Sequence, residues 1–149
     1  MRRTVLARFL RVSLAMVVAG GALAQSGNHK TSTPLEKTEW KLVWLGSTKL
    51  EWSTPQQVAY IQLDPESHRV SGSGGCNRLM GGYELSGDHL KFTQVAMTRM
   101  MCLHGRDTES GFAKALNQVT SWKIADGKLL LKDADQRVLA KFSGVVPES

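Results

Sequence analysis

The chain is short of cysteine, of long apolar runs and, near its start, of acid. Only two cysteines occur in 149 residues, Cys76 and Cys102. Neither belongs to a CxxC pair and there is no HExxH stretch, so the usual ligand spacings of a zinc site are missing. The apolar run Val12–Ala24 contains Ser13 and two glycines and is too short to span a hydrocarbon core of about 30 Å. Long helical patterns alternating with strands are also absent, which argues against a Rossmann-like domain. Residues 1–24 hold four arginines and no acid, whereas residues 25–149 carry fifteen basic against thirteen acidic side chains. The basic pI of about 9.6 therefore belongs mostly to the first 24 residues. Nucleic-acid binding, which needs a clustered basic face, loses its main support.

What is present begins with an export signal. Arg2, Arg3, Arg8 and Arg11 precede the apolar run, and Ala22-Leu23-Ala24 forms an A-x-A cleavage pattern. Residues 1–24 thus read as a signal peptide, with a mature start at Gln25. The residue directly after that site is Gln25, not a cysteine, so no lipid anchor is expected there. The mature chain is expected to be periplasmic or secreted, with no stable membrane insertion. Residues 25–34 are polar and aperiodic and read as a tether.

From Leu35 onward, short apolar stretches are broken by turn residues, as in a mainly antiparallel β protein. Strands are expected at Trp40–Trp44, Val58–Leu63, His68–Ser71, Gly82–Leu85, His89–Phe92 and Val95–Thr98. Three more are expected at Ser121–Ile124, Lys128–Lys132 and Val138–Phe142. Ser86-Gly87-Asp88, Asp126-Gly127 and Ala134-Asp135-Gln136 supply turns. One helix interrupts this order, with Phe112, Ala113, Leu116 and Val119 at helical spacing. Asp107 or Thr108 is the expected cap, and Glu109 favours the helix dipole. A single domain of about residues 35–145 is the expectation: a mainly β, α+β fold in which a compact sheet or barrel-like arrangement carries one packed helix.

In an exported chain, Cys76 and Cys102 read first as a disulfide. Two free structural thiols, a metal site completed by His104, or a Cys–His nucleophile would use the same residues. The Gly72–Tyr83 stretch, GSGGCNRLMGGY, tempts a phosphate-loop reading. No helix pattern or Lys-Ser/Thr step comes after it, so glycine better serves backbone bends and close approach, with Asn77 capping a turn. His29, His68, His89 and His104 are scattered and read as surface residues. Met97, Met100 and Met101 suggest gap-filling more than a copper site. Trp40 and Trp44 are expected in the core, and Trp52 is the more exposed candidate.

These residues resemble the META domain family, which includes a bacterial heat-shock protein. The resemblance rests on Trp40-Lys41-Leu42, on Val70-Ser71-Gly72-Ser73-Gly74-Gly75-Cys76-Asn77 with Gly82-Tyr83 behind it, and on Thr98-Arg99-Met100-Met101-Cys102. Glu109, Phe112 and Leu116 complete it, over about residues 36–143. Met101 and Leu79 depart from the pattern, where alanine and an aromatic residue are common. The resemblance implies an antiparallel β fold crossed by one helix, and an association with heat shock and stress. It carries over no catalytic residue, no metal and no cofactor. Any family-wide site lies near Gly72, Gly75, Cys76, Asn77, Gly82, Tyr83, Thr98, Met100, Cys102, Glu109 and Phe112.

The leading expectation is a non-enzymatic exported module that binds an envelope protein or small ligand. The alternative is a carrier enclosing a lipophile in the β fold. A hydrolase on Thr98, Cys102, His104 and Glu109 needs a nucleophile and base in hydrogen-bond reach, which sequence proximity does not supply.

Overall fold

The structure, a computed structural model, describes residues 33–102 and 105–145. The expected signal peptide, most of the expected tether, His29 and His104 lie outside the described residues. Among the described residues, nine strands and one α-helix follow in chain order. The strands are β1 (Glu39–Leu45), β2 (Thr48–Lys49), β3 (Tyr60–Asp64), β4 (Arg69–Ser73), β5 (Arg78–Ser86) and β6 (His89–Met97). Helix α1 (Arg106–Gln118) precedes β7 (Ser121–Ala125), β8 (Lys128–Lys132) and β9 (Val138–Val145). A single 3-10 turn, Pro55–Gln57, lies before β3.

Every strand pairing is antiparallel, and sequence neighbours pair throughout except that β1, not the short β2, meets β3. Period-two alternation directs Trp40, Leu42, Ile61, Leu63, Leu129, Leu131 and Phe142 inward, and each is fully buried. Two-residue turns set the register. Gly87 at φ +59° joins β5 to β6, and Asp126-Gly127, both at positive φ, joins β7 to β8. That is the Asp-Gly signature of a turn whose twist suits a hairpin. The last strand returns to the first, Trp40 opposite Gly144 and Leu42 opposite Phe142, so the sheet closes into a ring.

The ring has one thin seam. β6 and β7 meet only at His89 and Ser121, and α1 packs mainly on β6, reaching β1 and β9 as well. Its Phe112 and Leu116 are fully buried, with the Phe112 ring 6.0 Å from that of Phe142. One strand, half covered by a helix in place of a neighbour, is how a short chain closes its sheet without a bare edge.

The expected mainly β fold with one packed helix is the observed one. Several details differ. The expected strands His89–Phe92 and Val95–Thr98 fall, as far as Met97, in one strand, β6, which kinks where Gln94 adopts φ +50° and the register with β5 shifts. Such a bulge hides the continuity of a strand from a period-two reading. The helix begins earlier than Asp107 or Thr108, with Gly105 at φ +89° as its N-cap and no side-chain cap. Trp44 is not in the core. A bulge between Leu42 and Trp44 sets it opposite Lys141, whose neighbours Ala140 and Phe142 are buried. Trp44 therefore lies on the outer face. Trp52, expected to be the exposed one, packs against the core and its Nε1–H donates to the Leu42 carbonyl at 2.9 Å.

Candidate functional site

The glycine-rich stretch is the end of β4, a four-residue turn and the start of β5. Gly72 lies in β4 against β3, where an added methyl would collide with the Tyr60 carbonyl. Gly75 holds φ +115° beside the Gln57 carbonyl, a conformation open to glycine alone among common residues. The turn exists to present two backbone N–H groups in one direction. Both find a carboxylate: Glu109 Oε1 accepts from Cys76 N–H at 2.9 Å and from Asn77 N–H at 2.6 Å.

Glu109 stands in the first turn of α1 yet is buried. Its second oxygen accepts from Asn77 Nδ2 at 2.8 Å. Burial opposes ionisation, but the backbone and side-chain amides of Asn77 and the Cys76 N–H outweigh it and hold the carboxyl below the usual range. The pair of adjacent N–H groups acts as a small anion nest filled by the protein's own side chain.

Asn77 then reaches the other way. Its Oδ1 accepts from the Met100 N–H at 2.6 Å and from the Thr98 hydroxyl at 3.1 Å. Thr98 Oγ1 in turn accepts from Arg78 N–H at 3.0 Å. Cys102, next along this segment, is disulfide-bonded to Cys76 with a Cα–Cα separation of 6.3 Å. The turn, the 98–102 segment and α1 are thus tied by one carboxylate, one amide and one covalent bond.

The structure brings Gly75, Cys76, Asn77, Thr98, Met100, Cys102 and Glu109 together. It separates the rest. Gly82 lies in β5 under Thr93, and Phe112 belongs to the core. Tyr83 is buried, its hydroxyl donating to Glu36, with the His68 ring 6.0 Å away. Burial first, then the hydrogen bond and charge of Glu36, push the phenol well above its ordinary value. Sequence reading missed Glu36 and the role of Gln57. Nothing in their local pattern marks either.

The chemical alternatives for the cysteines end here. Both sulfurs are in the disulfide, so neither is a nucleophile or a thiolate ligand. Among the described residues no three His, Cys, Asp or Glu side chains are placed to hold a metal. Beside the disulfide runs a groove of about 630 Å³, lined by Trp52, Gln56, Gln57, Gly75 and Met101 among others. Met101 is 93% exposed at its edge.

A closed antiparallel ring crossed by one helix, with a disulfide-tied glycine turn seated on a helical glutamate, defines a small β domain with a braced corner. A family model, the META domain, matches residues 33–145, and the chain belongs to that family. Similar folds occur in a protein from Burkholderia xenovorans solved by NMR, at 24% identity and TM-score 0.58, covering 74% of this chain and 83% of that one. A second NMR structure has 23% identity and TM-score 0.57, covering 72% and 90%. A crystal structure of a DUF4847-family protein from Bacteroides vulgatus has 13% identity and TM-score 0.51, covering 73% and 93%. At these identities the likeness is one of fold. No curated protein matches the chain.

Proposed function

We propose that the chain is an exported, non-enzymatic binding module of the bacterial envelope, associated with stress, which presents its braced corner to a partner protein. The observation that carries this reading is how the motif side chains are used. The cysteines are joined, both Glu109 oxygens accept amide hydrogens, and Asn77 and Thr98 bond each other. Each is spent on holding the corner in shape, which supports a binding rather than a catalytic role. Preorganised surfaces of this kind favour binding by limiting what must be ordered on contact. An exposed methionine beside a half-buried tryptophan supplies adaptable apolar contact. Export rests on the arginine-led apolar leader and its A-x-A site.

A filled interior favours this reading over a lipophile carrier. Trp40, Phe112 and Phe142 are fully buried in one core cluster, where a carrier needs room for its ligand.

A photo-crosslinking residue at Gln57, in cells, tests the groove. One discrete protein adduct is expected, abolished by Met101→Asp, while a probe at Asp135 on the β8–β9 turn gives none. Equal trapping at both positions, or at neither, refutes the reading. Mass analysis of the periplasmic fraction should find an N-terminus at Gln25; retained Met1 refutes export.

A further inference from the structure

The mild basic surplus of the sequence is not spread evenly once folded. On the outer face of β7, β8 and β9, Leu130 has a lysine on each of four sides. Lys123 of β7 and Lys141 of β9 are its cross-strand partners. Lys128 and Lys132 flank it along β8, about 7 Å away at two residues of strand rise. The same cross-strand row continues from Lys141 to Trp44, and the Lys141 ammonium lies 5.4 Å from the Trp44 ring centre.

None of these four lysines forms an ion pair among the described residues. The neighbouring acids are otherwise engaged or peripheral: Asp133, next to Lys132, pairs with Arg137 at 2.9 Å, Glu39 with Lys41 and Glu51 with Lys49, and Asp126 sits in the turn before Lys128. Four like charges within roughly one screening length repel one another, so folding by itself does not favour this placement. Trp44 adds a second observation. The other three tryptophans donate their indole N–H to a carbonyl, Trp40 to Leu35, Trp52 to Leu42 and Trp122 to Gly87. Trp44 has no such partner among the described residues.

We propose that this face docks the protein peripherally on an anionic phospholipid surface. Lysines on a sheet form a two-dimensional array of point charges about 10 Å across three strands, which suits headgroups spread in a plane. Leu130 puts an apolar side chain at the centre of the array. Trp44 brings a ring with a free N–H to its edge, the amphipathic side chain that settles at headgroup depth. Nucleic acid fits less well, because base and phosphate readers rely on arginine forks and grooves. The proposal does not depend on the groove beside the disulfide, which other elements build.

Vesicle sedimentation tests it. The chain from Gln25 onward is used, since residues 31–149 form a compact unit holding the whole described core and an apolar leader would itself partition into lipid. Expected is sedimentation with mixed phosphatidylcholine–phosphatidylglycerol vesicles, none with phosphatidylcholine alone, and release by salt. Lys123→Gln/Lys141→Gln should weaken partitioning about thirtyfold, as two lysines near an anionic surface predict. Lys91→Gln/Lys114→Gln removes the same charge elsewhere and should change it less than about threefold, the loss of general attraction alone. Brominated lipid should quench fluorescence in the wild type and much less in Trp44→Phe.

The proposal is overturned if both vesicle types bind alike or neither binds, or if the two double variants weaken binding equally. It is also overturned if the Lys123/Lys141 pair instead governs binding to duplex DNA while anionic vesicles leave the protein in solution. The vesicle comparison and the salt arm need only the unaltered chain, so they decide even if a variant folds poorly.

Discussion

The corner at Cys76 and the face around Leu130 are opposites in how their polar groups are spent. At the corner, three amide hydrogens converge on one carboxylate and two donors on one amide oxygen. On the face, four lysines surround a leucine, with no counter-charge bound to them among the described residues. The residues with the most chemistry in their side chains hold the fold together, and the plainest ones are left facing outward. In a small β domain, a reactive residue type is thus poor evidence of a reactive site; what counts is whether its bonding capacity is already filled.

The contrast can be broken at the corner first. Reducing Cys76–Cys102, whose residues are 26 apart in sequence, should cost about 3.5 kcal/mol from the chain entropy released, read as a fall of many degrees in Tm. An unchanged Tm would mean that the non-covalent ties alone fix the turn. Glu109→Ala should cost about 3 kcal/mol in urea unfolding, because it strands the Cys76 and Asn77 amides in a buried place. A loss below about 1 kcal/mol would show that water satisfies them.

Acid should act on the same bonds. The Glu109 carboxyl is held below its usual range when folded, so its contribution is complete above the unfolded value of about 4.3 and is lost as pH falls through the lower folded value. Between pH 5 and pH 3, about the range in which carboxylates titrate, wild-type stability should therefore drop more steeply than that of Glu109→Gln. Parallel curves would contradict this.

The face should respond with the opposite sign and the smallest size. Lys123→Gln should raise stability by about 0.3 kcal/mol at low salt, by relieving like-charge repulsion, and the gain should vanish near 1 M salt. A destabilised variant would mean that the lysine stem is packing against Leu130.

Much of the fold was legible because its signals are local. Short apolar stretches bounded by turn residues mark β1, β3 and β8, Asp126-Gly127 marks a hairpin, and Phe112 with Leu116 marks the one helix. Trp44 was misjudged because one extra residue between Leu42 and Trp44 reverses a face, and a bulge leaves no clear trace in composition. The corner was partly legible: its residues carry the family motifs and the two cysteines were expected to pair. The bonds from Glu109 to a turn more than thirty residues away were not, since they depend on tertiary approach. The lysine face needs the register of three strands at once. Lys123, Lys128, Lys132 and Lys141 look like ordinary solvated charges until Leu130 is placed among them.

The pairing of β1 with β9 sets an order of events on the chain. Trp40 pairs early with Ile61 of β3, but Trp40 and Leu42 meet Gly144 and Phe142 only when β9 is made, so the ring cannot close before the last strand. Contacts between such distant segments form slowly, and no shorter N-terminal piece can complete the core. If the chain is exported before it folds, in line with the proposed export, that delay is useful. The polypeptide stays pliable until its final strand is made, and locks only when both ends of the domain are on the same side.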